Sequence, residues 1–259
     1  MKFKIALAQM KIADSSTRNL KKIRSMTEQA RKRGADLVVF PEIAASGNSE
    51  KLRDYDVNNR LRDAFAEMAA DNYIDMVPGS VIVPSGRKFY NTSYYIDRKG
   101  RELARYNKQN LWISERSTMA QGSRTTVAKT RFGKIGLLIC WDTILPELFR
   151  PMVKAGADMI IIPSYWWYGP DLRASPEMVK ALITARSFEC LTPIAYCNAA
   201  GRDSTGRKLL GLSQVVHPYD ADRKILDNNK EGLLLADVNT SNVKKLEEDL
   251  SIKRGIMEL

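Results

Sequence analysis

Gly136-Leu137-Leu138-Ile139-Cys140-Trp141-Asp142, followed almost at once by Leu145-Pro146-Glu147-Leu148-Phe149-Arg150, decides the fold class. The first part is a short apolar run of the kind that fills a buried strand. The Pro-Glu pair then opens a helix, because proline suits the first helical position and an acid meets the helix dipole favourably there. Strand, sharp turn and helix place a thiol at a strand tip beside a helix N-terminus. The dipole and any nearby cation both favour the thiolate, so Cys140 reads as a nucleophile held ready in its charged form.

Working outward, apolar runs and amphipathic stretches alternate along all 259 residues, with no evident linker or low-complexity tract. The pattern predicts strands near 3–9, 36–41, 76–83, 91–97, 134–140, 158–163, 193–198, 211–216 and 232–238. It predicts helices over 17–33, 58–71, 146–155, 176–190 and 240–249. Buried runs separated by amphipathic helices mean sheets covered by helices, an α/β chain within the size of one large domain, here residues 1–259. There is an internal echo. Gly34-Ala35-Asp36-Leu37-Val38-Val39-Phe40-Pro41-Glu42 resembles Gly156-Ala157-Asp158-Met159-Ile160-Ile161-Ile162-Pro163-Ser164. Any α/β protein reuses such a helix–Gly–strand–Pro unit; the alternative is two similar halves packed sheet to sheet with a site between them.

Composition narrows the function classes. No run is long enough to span a membrane, and the opening Met1-Lys2-Phe3-Lys4-Ile5-Ala6-Leu7-Ala8-Gln9 alternates like a strand and lacks the long apolar stretch of a signal peptide. Three cysteines without a CxxC pair fit a reducing, cytoplasmic setting and argue against a disulfide framework. The net charge of +11 comes from scattered groups such as Arg31-Lys32-Arg33 and Lys244-Lys245, and no nucleic-acid-binding motif accompanies them. The reading is a basic surface without a specific nucleic-acid partner. With one histidine, His217, multi-histidine zinc sites are excluded. His217 precedes Pro218 in a turn-like segment and reads as a loop or surface residue. A general base must then be sought among carboxylates, lysines or tyrosines.

Upstream of Cys140, Glu42 ends the run Asp36–Glu42, and Lys108 sits in Arg105-Tyr106-Asn107-Lys108-Gln109-Asn110-Leu111. Singly, a buried Cys is usually packing, a Glu after Pro is often a cap or a surface acid, and a lone Lys is usually solvated. Together, in that order and with those flanking strands, Glu, Lys and Cys make the chain resemble a carbon–nitrogen hydrolase of the nitrilase superfamily. The resemblance runs from the first strand to about residue 240. Phe40-Pro41-Glu42 with Gly47, Tyr106-Asn107-Lys108 with Leu111, Glu115 with Gly122, and Ile139-Cys140-Trp141-Asp142 match the family. So do Ala185-Arg186 with Glu189, Asn198 with Gly201, and Gly211 with Ser213. Asn48 stands where an aromatic often follows, Gln121 replaces a proline, and Cys190 replaces the usual Asn.

The resemblance implies a four-layer αββα sandwich that pairs through the helix after the nucleophile, as a homodimer or higher homo-oligomer. It implies hydrolysis of a non-peptide C–N bond in a small linear amide, through a Cys140 thioester and without metal or organic cofactor. Glu42 would be the base, Lys108 and the backbone N–H of Trp141 the oxyanion donors, and Glu115 a supporting acid that orients Lys108 or the substrate. The same trio serves N-carbamoyl amine hydrolases and true nitrilases, although Cys-Trp-Asp is closer to the amidase and carbamoyl-hydrolase pattern. Outside enzymes, the alternatives are a catalytically idle scaffold and a basic nucleic-acid-binding protein. Tyr165-Trp166-Trp167-Tyr168 follows the second echo strand; Tyr165 and Trp166 are candidates to line the substrate pocket, with core or interface packing as the other reading. Arg150, Arg186 and Glu189 read as ion-pairing residues, and Cys190 and Cys197 as packing.

Overall fold

The first strand shows how the sequence builds the layers. In β1 (Lys2–Gln9), Ile5 and Leu7 enter one core cluster while Ala6 and Ala8 enter another, and all four are fully buried. That alternation belongs to a strand covered on both faces. The cluster holding Ile5 and Leu7 also holds Ile135, Leu137, Ile160, Ile162 and Val215, so it lies between two sheets. The cluster holding Ala6 and Ala8 takes Ile23, Met26, Leu61 and Phe65 from two helices on the outer side.

The computed structural model describes residues 2–47, 55–168, 175–218, 223–241, 248 and 255. One sheet contains β1, β2 (Leu37–Val39), β3 (Asp75–Val77), β4 (Ser80–Ser85), β5 (Lys88–Ile96), β6 (Glu102–Asn107) and β13 (Gly232–Asn239), in the order β13-β1-β2-β3-β5-β4 with β6 also on β5. The other contains β7 (Val127–Thr130), β8 (Gly133–Leu137), β9 (Met159–Ser164), β10 (Ile194–Asn198), β11 (Gln214–Val216) and β12 (Arg223–Ile225), in the order β12-β11-β10-β9-β8-β7. Helices α1 (Ser16–Lys32) and α2 (Arg60–Asp71) cover the first sheet, and α3 (Arg150–Lys154) and α4 (Pro176–Glu189) lie with the second, where α4 packs on β10 and β11. The chain is therefore an αββα sandwich. Both long helices start where side-chain chemistry dictates: Ser15 Oγ accepts from the Arg18 N–H, and Ser175 Oγ accepts from the Met178 N–H ahead of Pro176.

The echo strands β2 and β9 occupy different sheets, each central and parallel to its neighbours. Their tips meet: the Glu42 N–H donates to the Ser164 carbonyl at 3.3 Å. This contact joins the carboxyl edges of both sheets, where ligand sites of parallel sheets form.

Several expected elements differ. The strand expected at 76–83 is broken by Pro78-Gly79 into β3 and β4. A Cβ on Gly79 would lie 1.8 Å from the Pro41 carbonyl oxygen, and its φ of +86° favours glycine. The helix expected at 146–155 shrinks to a 3-10 turn over Pro146–Leu148 and the short α3, because Pro151 withholds a backbone donor. Strands β6, β7 and β12 escape the pattern because they are short and polar. The helix expected at 240–249 lies largely outside the described residues. No helix among the described residues is long and apolar enough to cross a membrane.

Candidate active site

Cys140 begins a tight 3-10 turn, Cys140–Ile144, directly after β8 and the buried Leu138-Ile139. Its φ is +45°, a left-handed conformation that non-glycine residues rarely adopt. Two groups hold the turn. Arg186 of α4, nearly buried, donates from Nε to the Thr143 carbonyl at 3.0 Å and from Nη2 to the Ile144 carbonyl at 3.1 Å, while Nη1 pairs with Glu189 at 2.8 Å. The Arg186–Glu189 pairing agrees with expectation; Arg150 is exposed and enters none of the ion pairs seen among the described residues.

The second holder is Asp142, fully buried. Its Oδ1 accepts from the Asn110 N–H at 2.7 Å and the Gln109 N–H at 3.2 Å, and its Oδ2 from the Ile139 N–H at 2.9 Å and the Tyr106 hydroxyl at 2.8 Å. One carboxyl group thus ties the segment after Lys108 to the segment before Cys140. Burial pushes the Asp142 carboxyl up to about 6, against the pull of its donors and of Lys108. An acid raised above its ordinary 3.8 contributes stability that is full below that value and lost as pH rises through about 6, costing about 3 kcal/mol by neutrality. Asp142→Asn should therefore flatten the change in denaturation midpoint between about pH 4 and about pH 7 relative to wild type. An unchanged slope would contradict this account.

Lys108 follows β6, and its backbone N–H donates to the carbonyl of Asn91 on β5 at 2.9 Å. Gly122 donates to the Lys108 carbonyl at 2.8 Å, and a Cβ there would strike the Asn107 oxygen at 2.1 Å, so this match to the family is a packing requirement. The Lys108 ammonium, 2% exposed, sits 2.8 Å from Glu42 Oε1 and 2.8 Å from Glu115 Oε2. Asn91 Nδ2 donates to Glu42 Oε1 at 2.8 Å and to Glu115 Oε1 at 2.9 Å, bridging the same two carboxylates. The Trp112 N–H adds 2.7 Å to Glu115 Oε2. Burial alone would lower the Lys108 pKa, but Glu42, Cys140 and Glu115 outweigh it and hold the ammonium above its ordinary value.

Cys140 completes the cluster. Its thiol pKa is pushed well above the ordinary value, first by burial and then by the Glu42 charge, against the pull of Lys108 and of the Tyr165 backbone N–H. The helix expected to supply a dipole has shrunk to short turns, so the Lys108 charge and the Tyr165 N–H are left to favour the thiolate against burial and the Glu42 charge. Glu42 is hydrogen-bonded to the thiol.

Above this floor opens a cavity of about 570 Å³. Glu42, Lys108, Glu115 and Cys140 form its base, and Trp141, Tyr165 and Trp166, together with Trp112 and Trp167, wall it. Tyr168 is partly exposed and does not line it. The structure thus brings together every site residue expected from sequence. It adds Asn91, one of three consecutive polar residues, Asn91-Thr92-Ser93, buried within β5, together with Trp112 and the Tyr165 N–H. Asn198 holds the Trp166 backbone from both sides, accepting its N–H at 2.7 Å and donating to its carbonyl at 3.2 Å. His217 follows β11 away from the cavity; it is 8% exposed, buried where a surface turn was expected, because the strand end packs under α4. Cys190 and Cys197 are buried, the latter donating to the Val39 carbonyl at 3.2 Å.

A model of the carbon-nitrogen hydrolase family matches residues 4–248. A probable nitrilase of Schizosaccharomyces pombe is 28% identical over 262 residues, covering 96% of this chain and 93% of that protein. The 2-oxoglutaramate amidase of Bacillus subtilis is 27% identical over 261 residues, covering 97% and 96%. Among solved structures, Saccharomyces cerevisiae Nit3, a member of branch 10 of the nitrilase superfamily, superposes with a TM-score of 0.84 at 25% identity, covering 96% of this chain and 94% of Nit3.

Proposed function

The chain belongs to the carbon–nitrogen hydrolase family of the nitrilase superfamily, and from that premise we propose that Cys140, Glu42 and Lys108 carry out its amide hydrolysis in the cavity they floor. The chain is an amidohydrolase of non-peptide C–N bonds. The observation supporting these residue roles is the Glu42–Lys108–Glu115 cluster closed around the Cys140 thiol.

An amide is a weak electrophile with a poor leaving group, so both attack and departure need proton transfer. Glu42 takes the thiol proton as Sγ bonds to the carbonyl carbon, and the carbonyl π pair moves onto oxygen. Lys108 and the Trp141 backbone N–H receive that oxyanion. The net charge of the cluster does not change when the proton passes to Glu42; negative charge moves from the carboxylate to the reacting centre, and Lys108 loses one competitor for its hydrogens. Collapse breaks the C–N bond as Glu42 returns the proton to nitrogen, and ammonia or an amine leaves. Glu42 then deprotonates water, which attacks the thioester, and the C–S bond breaks with the proton passing to sulfur. Asn91 and Glu115 keep Lys108 and Glu42 in place throughout.

The amidase names among the relatives favour carboxamides over carbamoyl amines and nitriles, and the intact trio argues against an idle scaffold. We place the reaction in the cytoplasm, supported by cysteines that form no disulfide among the described residues. We place self-association at the exposed Leu145, in the segment after Cys140, and the exposed Phe188 of α4. The test is ammonia release across matched carboxamides, carbamoyl amines and nitriles. Carboxamides should be turned over fastest; exclusive turnover of nitriles or carbamoyl amines would overturn the substrate reading, and turnover of none would favour the scaffold.

A further inference from the structure

The catalytic cavity leaves the net charge of +11 without a role, and part of that charge gathers at the opposite edge of the sandwich. Glu42 and Cys140 lie beyond the carboxyl ends of β2 and β8. At the amino ends of the same strands, a second cavity of about 290 Å³ opens between the turn 97–101, which joins β5 to β6, and the β7–β8 hairpin. Arg98, Lys99 and Arg101 from the turn and Lys129 and Arg131 from the hairpin line it, and its acids among the described residues are Asp75 and Asp97. Five cations against two carboxylates leave an excess of three positive charges.

Both carboxylates are engaged in holding the walls. Asp75 is buried; its Oδ1 accepts from the Arg98 N–H and from Arg131 Nε, each at 3.2 Å, and its Oδ2 from the Tyr95 hydroxyl at 2.8 Å. Asp97 closes its own turn: Oδ1 accepts from the Lys99 N–H at 2.9 Å and the Arg101 N–H at 3.0 Å, and Oδ2 from Arg101 Nε at 2.8 Å. Arg131 also donates from Nη2 to the Asp36 carbonyl at 3.1 Å, which ties the hairpin of one sheet to the other sheet. Arg98, Lys99 and Lys129 enter none of the ion pairs among the described residues. The Arg98 guanidinium carbon lies 4.5 Å from the Tyr73 ring centroid, a stacking that keeps its N–H edge open.

Cations gathered around one concavity repel one another, and its low-dielectric walls focus their field on whatever anion enters. They approach from two walls, as planar forks and as point donors. Phosphoryl oxygens accept from several directions at once, whereas the two oxygens of a carboxylate share one plane. A single phosphate group carries about two negative charges or fewer, short of the excess of three, and the volume suits a small ligand. We propose that this cavity is an anion site, separate from the amide-hydrolysing one, that takes a small ligand bearing two linked phosphoryl groups, held by Arg98, Lys99, Lys129 and Arg131.

The test is titration calorimetry with inorganic pyrophosphate at fixed ionic strength, with orthophosphate, citrate and a DNA duplex as the other arms. Wild type should bind one pyrophosphate per chain, at least about 10-fold tighter than orthophosphate or citrate. Lys99→Glu with Lys129→Glu should weaken it by at least about 10-fold; both residues are exposed and outside the ion pairs, so the variant keeps its fold. Arg18→Glu with Lys21→Glu, on the exposed face of α1, changes the net charge equally and should bind like wild type. Equal losses in the two double variants would mean a response to net charge alone and would overturn the proposal. So would the absence of pyrophosphate binding, citrate binding as tightly, or the duplex binding more tightly than pyrophosphate. A KM for amide that rises with pyrophosphate would place the anion in the catalytic cavity and overturn it too.

Discussion

Cys140→Ala should lower amide turnover by about 10⁵-fold or more, the scale on which removal of a covalent nucleophile acts, and should leave the fold in place. The substitution removes a single sulfur atom that lines the cavity at the edge of the core cluster, so the packing lost is small. The burial of the thiol beside Glu42 predicts a further property. Alkylation by iodoacetamide should be slow at neutral pH and accelerate as pH rises, because burial and Glu42 hold the proton on sulfur. Steady-state ammonia release and the thermal midpoint, measured together, check the first expectation. Undiminished turnover in a folded variant would remove Cys140 from the mechanism.

Glu42→Gln should cost about 10³- to 10⁴-fold, near the upper end of what a general base contributes. The substitution keeps an oxygen to accept from Lys108 and Asn91 but cannot accept the thiol proton. Both half-reactions need that acceptor, so acylation and thioester hydrolysis should both slow in single-turnover experiments. Lys108→Ala acts differently. It removes the cation from between Glu42 and Glu115, leaving two buried carboxylates that share only Asn91, so the variant should lose stability as well as rate. Its lowered rate should appear in acylation, where the oxyanion forms. A Glu42→Gln variant that acylates like wild type would show that the base lies elsewhere.

The parts of this machine legible in the sequence are those written as local pattern. The runs at β1, β2, β9 and β10 are apolar because both faces are covered, and the sandwich follows once two such sets exist. Glu42 and Cys140 are recognisable because each ends an apolar strand run, Lys108 stands out only through its Tyr106-Asn107-Lys108 setting, and the resemblance supplies their joint meaning. What escaped depends on contacts between distant segments. Strand β6 carries Lys108 to the site, yet Glu102–Asn107 reads as a polar loop because its partner β5 supplies the pairing. Asn91 is followed in its strand by Thr92 and Ser93, and nothing local sets it apart from them; only the fold shows it bridging two carboxylates. The protonation of Cys140 depends on how many charges surround it and how dry the site is, and neither is a property of its neighbours in sequence. His217 looked exposed because it precedes Pro218, and is buried because α4 covers that strand end.

The most direct test of the central claim is peptide mapping by mass spectrometry after single-turnover quenching with a slowly hydrolysed amide, on wild type and on Glu42→Gln. The account predicts an acyl group in thioester linkage on Cys140, absent from Cys190 and Cys197, transient in wild type, and slower both to form and to decay in Glu42→Gln. Ammonia released without any adduct, or an adduct on another residue, would contradict it.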